Sequence, residues 1–195
     1  AFARITAQNS THLATMVGKF LDYERQPPIS NSYYKNPLIA GGWQSDRWFI
    51  MCTEILYGFL ENELGKTPVR EYSGTSSAPA SWSTNSNTGM VVNYFGPNGL
   101  SYIPNLPSYL TDWTGDAAGI NAAINNGAFI TQHRDHGGTT GWGDPSYHNS
   151  DLSNLYNIDP TFVFSINCQT GAFDASSECF AEAFHRHQYG ALGII

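Results

Sequence analysis

The chain has 195 residues, enough for one domain with a substantial core. It carries a net charge of −7, only 13% charged residues and just three lysines, Lys19, Lys35 and Lys66. That balance excludes a nucleic-acid groove, which needs clustered Lys and Arg, and no apolar run approaches the length of a membrane span. Few lysines and abundant aromatic, Gly, Ser, Thr and Asn residues fit a secreted protein better than a cytosolic one.

In chain order, residues 2–5 read as a short apolar strand. Asn9, Ser10 or Thr11 can cap a helix reaching about Glu24, with Leu13, Met16, Val17, Phe20 and Leu21 at helical spacing and Pro27-Pro28 as its stop. Leu38–Ala40 predict the end of a buried strand, followed by a Gly41-Gly42 turn. Ser45 or Asp46 can cap a helix over residues 47–64 that Gly65 closes, and a strand is expected at residues 68–72. Residues 73–88 are Ser, Thr, Asn, Ala and Gly with almost no charge, and residues 94–110 hold three prolines. Together residues 73–110 read as an insertion or mobile loop.

The second half is more regular. A helix is expected over residues 117–125, a strand over 128–133, a short crossover helix over 152–156 and a continuous apolar strand over 161–166. A helix over 178–187 and a final strand over 191–195 follow. Alternating strands and helices imply an α/β sandwich with a mostly parallel sheet. Apolar runs at both ends predict a piece of a longer precursor, with a signal peptide upstream and more of the domain downstream.

Two of these strands lead to reactive side chains. Ile130–Pro145 carries His136, and Phe162–Gly171 carries Cys168. About thirty residues between them suit a strand–helix–strand crossover, which would bring both to the same carboxyl edge of one sheet. A thiol beside an imidazole makes a nucleophile and its acid–base partner. The backbone N–H groups of Gly137 and Cys168 could face the oxyanion formed on attack.

Cys52 and Cys179 fall in helical stretches and read as small buried hydrophobes. A rival reading takes His133, Asp135 and His136 as a metal string, although alternate residues of a strand point to opposite faces and no third ligand is placed by spacing. His185 and His187 fit a helix end, where cationic histidine suits the dipole.

At these residues the chain resembles the gingipain family of caspase-like cysteine peptidases. The family's His-Gly motif with a following Trp matches Asp135-His136-Gly137-Gly138-Thr139-Thr140-Gly141-Trp142. Its Cys-x-x-Gly-x-Phe motif matches Cys168, Gly171 and Phe173, and its Cys-Phe-Ala-Glu-Ala run matches Cys179–Ala183. Phe2-Ala3-Arg4-Ile5 and Asp22-Tyr23-Glu24-Arg25 resemble further family segments. The likeness covers nearly the whole chain apart from an insertion at residues 73–110.

The resemblance implies a caspase-like α/β/α sandwich, a partial peptidase domain over residues 1–195, and Cys168 as nucleophile with His136 as partner. It implies polypeptide substrates and a secreted or cell-surface bacterial protein. Asp46 would be a buried carboxylate at the floor of the primary pocket for a basic P1 residue, and it reads equally as a helix N-cap. Trp142 would contribute to substrate binding.

The family's histidine-orienting Glu is absent, since Ala40 precedes Gly41-Gly42. Asp135 beside His136 is the candidate replacement. No cofactor is required. A structural calcium ion is compatible with the family, but the acidic residues form no EF-hand loop from which ligands could be assigned. A sorting transpeptidase sharing the thioacyl stage, and an inactive homologue acting as a binding module, remain open beside the endopeptidase reading.

Overall fold

The structure, a computed structural model, describes residues 4–195. Most of the expected strand at residues 2–5 can be judged only at Arg4 and Ile5, which belong to no regular element; Phe2 and Ala3 lie outside the described residues. The elements in chain order are α1 (Ser10–Arg25), α2 (Asn31–Lys35), β1 (Leu38–Gly42), α3 (Phe49–Asn62), β2 (Val69–Ser73), α4 (Thr88–Phe95) and α5 (Ala117–Asn125). They continue with β3 (Ile130–Arg134), the two-residue strands β4 (Gly137–Gly138), β5 (Gly141–Trp142) and β6 (Tyr147–His148), then β7 (Thr161–Ile166), α6 (Phe180–Arg186) and β8 (Ala191–Ile194).

Five strands form one sheet in the order β2-β1-β3-β7-β8, every neighbouring pair parallel. Side chains alternate across such a sheet, and the consecutive residues Leu38 and Ile39 show it. Leu38 joins Ile120, Ile124, Val163, Phe180 and Phe184 on the face covered by α5 and α6. Ile39 joins Ile50, Met51, Leu60 and Tyr72 under α3 on the other face. Each fully buried Leu, Ile or Phe contributes about 1.5–3 kcal/mol. These two covered faces make the α/β/α sandwich.

The helix starts obey local chemistry. The Asn9 side chain accepts from the His12 N–H at 2.9 Å, and Asp116 accepts from the Gly119 N–H at 2.8 Å, so α1 and α5 begin where cap residues stand. Helix α3 departs from expectation. It begins at Phe49, after Trp48, with no side-chain cap, and leaves Ser45 and Asp46 in the preceding turn. Its far end conforms: Gly65 has φ +60°, and the Lys66 N–H reaches the Leu60 carbonyl at 2.9 Å.

Three further expectations are corrected. Gly41 and Gly42 belong to β1 and do not form a turn. A Cβ on Gly42 would lie 2.5 Å from the Asp144 Cβ and 2.8 Å from the Asp135 Cγ, so close approach of the chain demands glycine there. Residues 73–110 are not a loose loop. They hold α4 and bury Trp82 and Ile103, with Leu110 and Trp113 close by, in the core under α3. Glu54 on α3, itself almost fully buried, fastens this segment. It accepts from Arg70 at 2.7 and 3.0 Å, from the Tyr72 hydroxyl at 2.6 Å and from the Tyr109 hydroxyl.

The link from β3 to β7 carries no α-helix. A small antiparallel sheet, β4-β5-β6, and a 3-10 turn at Asp151–Asn154 span it. The gap accommodates them because Trp142 and Tyr147 turn inward and complete the core beneath α6.

Candidate active site

Strand order places the reactive groups. In register, Gly41 stands beside Arg134, and Arg134 beside Ile166. Gln44, His136 and Cys168 each follow two residues after the end of their strands, β1, β3 and β7. They therefore come out in a row on the carboxyl edge of the sheet, where open α/β sheets build their sites. Cys168 and His136 are both exposed and line one cleft of about 480 Å³, together with Asp46, Arg47, Cys52 and Arg134.

The two loops touch. A Cβ on Gly137 would lie 2.7 Å from the Asn167 Oδ1 and 2.8 Å from the Cys168 carbonyl oxygen, so glycine after His136 lets the chain pass against the Cys168 turn. Gln169, the residue after Cys168, has φ +61°, a left-handed conformation that costs a non-glycine residue roughly 1 kcal/mol or more. The Thr170 N–H to Cys168 carbonyl bond, 2.8 Å, closes this tight turn.

A buried polar platform holds the turn from below. Asn167 donates its amide N–H to His133 Nδ1 at 2.8 Å, and the Thr170 hydroxyl donates to Asn167 Oδ1 at 2.8 Å. His133 Nε2 lies 3.0 Å from the Asp144 carbonyl, which can only accept, so the ring is neutral with its proton on Nε2. Burial drives this histidine down to about 3, helped by the nearby Arg134 charge and opposed by the Asp144 bond. Its ring stacks on Trp142 at 4.3 Å and 1°.

Several expected roles change. With both ring nitrogens of His133 occupied, the metal-string reading fails. Among the described residues, no three His, Cys, Asp or Glu side chains cluster closely enough to hold a metal ion. Trp142 is fully buried and donates to the Ser165 hydroxyl at 2.8 Å, so it presents no surface to a peptide. Its place in the motif reflects packing: the indole is the floor beneath His133.

Asp135 makes no ion pair with the imidazole of His136, although the two groups interact at longer range. Its buried carboxylate accepts from the Asp144 N–H at 2.8 Å. Desolvation pushes it up, against backbone hydrogen bonds from His136 and Asp144. Asp46 is not a buried pocket floor. It sits exposed on the cleft rim, 3.8 Å from Arg47, and accepts from the Gln44 amide at 2.9 Å. Cys52 is not a core residue: it is exposed and lines the cleft, although the surrounding wall desolvates the thiol and pushes it up, against the Arg134 charge. Cys179 is buried and precedes α6, where Glu182 reaches back to its N–H at 3.0 Å. His185, largely buried, is pushed down to about 4 by desolvation and by Lys19, so it is no cationic cap. Lys19 caps that end with hydrogen bonds, donating to the carbonyls of His185, His187 and Ala191 at 2.7–2.9 Å, while its own burial lowers it to about 7.

Two contacts of His136 escaped the sequence. Its Nε2 lies 2.8 Å from Gln44 Oε1, and the edge of Phe49 meets its ring at 5.3 Å and 88°. The signal for Gln44 was its position, a polar residue just past the end of the strand beside β3.

A wholly parallel sheet covered on both faces makes this an α/β protein with a cysteine and a histidine on adjacent strand ends. The chain belongs to peptidase family C25, which it matches over residues 1–195. The solved structures it resembles include the Arg-specific cysteine proteinase gingipain R (RgpB), at 19% identity and a TM-score of 0.73, over 99% of this chain and 38% of that one. A complex of Porphyromonas gingivalis RgpB pro- and mature domains matches at 19% identity and 0.72, over 99% and 39%. A third structure, described as a protease, matches at 23% and 0.62, over 98% and 35%. The fold is thus that of gingipain, and the chain spans under two-fifths of the length of these proteins. No curated protein matches it. Among the described residues no helix is long and apolar enough to cross a membrane.

Proposed function

We propose that the chain contributes the nucleophile and acid–base pair of a secreted cysteine endopeptidase. One observation carries this reading: Cys168 and His136 emerge at equal offset from adjacent parallel strands into a single open cleft. The Cys168 thiolate attacks a peptide carbonyl carbon, and the electron pair moves to the carbonyl oxygen, which the N–H groups of Gly137 and Cys168 face. His136 gives its proton to the departing amine, leaving a thioacyl enzyme. Water then attacks the thioester, His136 takes a proton, and the acid product leaves with the thiol restored.

The finer expectation is a basic P1 residue. Asp46 supports it as the carboxylate on the rim, provided the incoming cation displaces Arg47. The low lysine content, with the family, supports a protein that works outside the cell.

In the full-length protein, Cys168→Ala should abolish cleavage of fluorogenic peptides with the fold intact, and iodoacetamide should label Cys168 ahead of Cys52 and Cys179. Cleavage by the alanine variant at the parent rate refutes the nucleophile. Equal slow labelling of all three thiols points to an inactive homologue, and transfer of the acyl group to an added amine in place of water identifies a transpeptidase. A P1 scan with Arg, Lys and neutral residues tests Asp46: an unchanged basic preference in Asp46→Asn removes it from the pocket.

A further inference from the structure

Among the described residues, no carboxylate lies within ion-pair distance of the His136 ring; the Asp135 charge acts on it from farther off. The His136 Nε2 meets the amide oxygen of Gln44 at 2.8 Å, and the amide nitrogen of Gln44 meets Asp46 Oδ1 at 2.9 Å. The protons along this chain follow from what each group can do. An aspartate carboxylate at neutral pH only accepts, so the Gln44 NH₂ must face Asp46. The Gln44 oxygen then faces the imidazole, and an amide oxygen also only accepts. The proton of neutral His136 therefore sits on Nε2, and Nδ1 holds the free lone pair.

We propose that Gln44 is the positioning residue of His136, the middle of an Asp46–Gln44–His136 relay that selects the Nε2–H tautomer and reserves Nδ1 for proton exchange with the Cys168 thiol. The proposal rests on the Cys168–His136 pairing above. Phe49 is the second support: its edge against the ring at 5.3 Å limits rotation, so the imidazole is held both by a hydrogen bond and by a wall. The covalent chemistry is unchanged. The proton that leaves the thiol goes to Nδ1, the Nε2–H bond to Gln44 persists throughout, and the same Nδ1 proton passes to the leaving amine.

The relay has a distinctive consequence. A neutral amide stabilises imidazolium less than a carboxylate does, because charge-assisted hydrogen bonds are roughly twice as strong as neutral ones. The Asp46 charge adds to this by polarising the amide between them. A carboxylate at position 44 would hold the imidazolium more firmly, so Gln44→Glu should keep the tautomer and extend activity on the alkaline side.

The test uses the full-length protein. Long-range ¹⁵N–¹H ring couplings report the tautomer of His136 without any turnover. The parent and Gln44→Glu should show Nε2–H, and Gln44→Ala should show a mixture of tautomers. With peptide substrates, Gln44→Ala should lower kcat at least about tenfold with KM within about twofold, a part of what acid–base catalysis supplies. Gln44→Glu should restore kcat and move the alkaline limb of the pH profile upward. A dominant Nδ1–H tautomer in the parent, or Gln44→Ala with parental kcat and pH profile, overturns the relay. The two ideas fail separately. If Cys168→Ala still cleaves, the pairing falls whatever the tautomer. If Cys168→Ala is dead and Gln44→Ala is unaffected, the pairing stands and the relay falls.

Discussion

Acidification should loosen the site from beneath, through His133. The ring is fully buried, stacked on Trp142, and has both nitrogens committed to Asn167 and Asp144. A second proton would turn Nδ1 into a donor aimed at the N–H of Asn167. Burial thus lowers this histidine from 6.5 to about 3. The unfolded chain binds the proton near pH 6.5 and the native chain only near pH 3, so stability falls as pH drops through that window and the loss is complete below it. The slope is about 1.4 kcal/mol per pH unit, and the loss between pH 7 and 4.5 comes to about 2.5 kcal/mol. That is a large part of the 5–15 kcal/mol typical of a domain. Urea unfolding of the parent and of His133→Gln across this range checks it. Glutamine keeps a polar group and does not titrate, so the parent should lose about 2.5 kcal/mol more than the variant. His185, lowered to about 4, acts in both proteins and cancels. Parallel pH curves for parent and variant would refute the argument.

Trp142→Ala should destabilise by about 3–5 kcal/mol, the usual cost of deleting a buried aromatic, and should also slow any Cys168 chemistry because it removes the floor under His133; a change under 1 kcal/mol in urea would show that the indole is dispensable. Glu54→Ala strips Arg70, Tyr72 and Tyr109 of their shared acceptor. About 3 kcal/mol should be lost, tempered by the third of the Arg70 side chain that stays exposed, and limited proteolysis should then cut first within residues 73–110. Resistance of that segment in the variant would mean that Trp82 and Ile103 hold it without the polar tie.

Much of the fold was legible because local chemistry and burial agreed. The period-3.6 pattern and the Asn9 cap located α1, and the uninterrupted apolar run located β7, buried from both sides. The misses share a cause. Gly41-Gly42 has the composition of a turn, yet it is a strand because the distant β2 and β3 pair with it, and Gly42 is glycine because Asp135 and Asp144 crowd it. Residues 73–110 have the composition of a loop, yet Trp82, Ile103 and Leu110, at wide spacing, anchor them, a pattern without a period. Cys52 sits on an apolar helix, but on the side that faces the cleft.

At the candidate site, the sequence placed Cys168 and His136 at one sheet edge, because they follow two apolar strands that run parallel. It named the wrong neighbours. Asp135 and Trp142 adjoin His136 in the chain and its motif, and both turn inward. Gln44, 92 residues away, meets the ring.

The sequence by itself determined which residue types stand at the carboxyl ends of the strands, since periodicity and caps are local and a parallel sheet has one such edge. Only the tertiary structure decided which side chains face the imidazole and which support it from within. Those contacts depend on strand order, on two-sided burial and on the direction of each Cβ, and none of the three is a property of neighbouring residues.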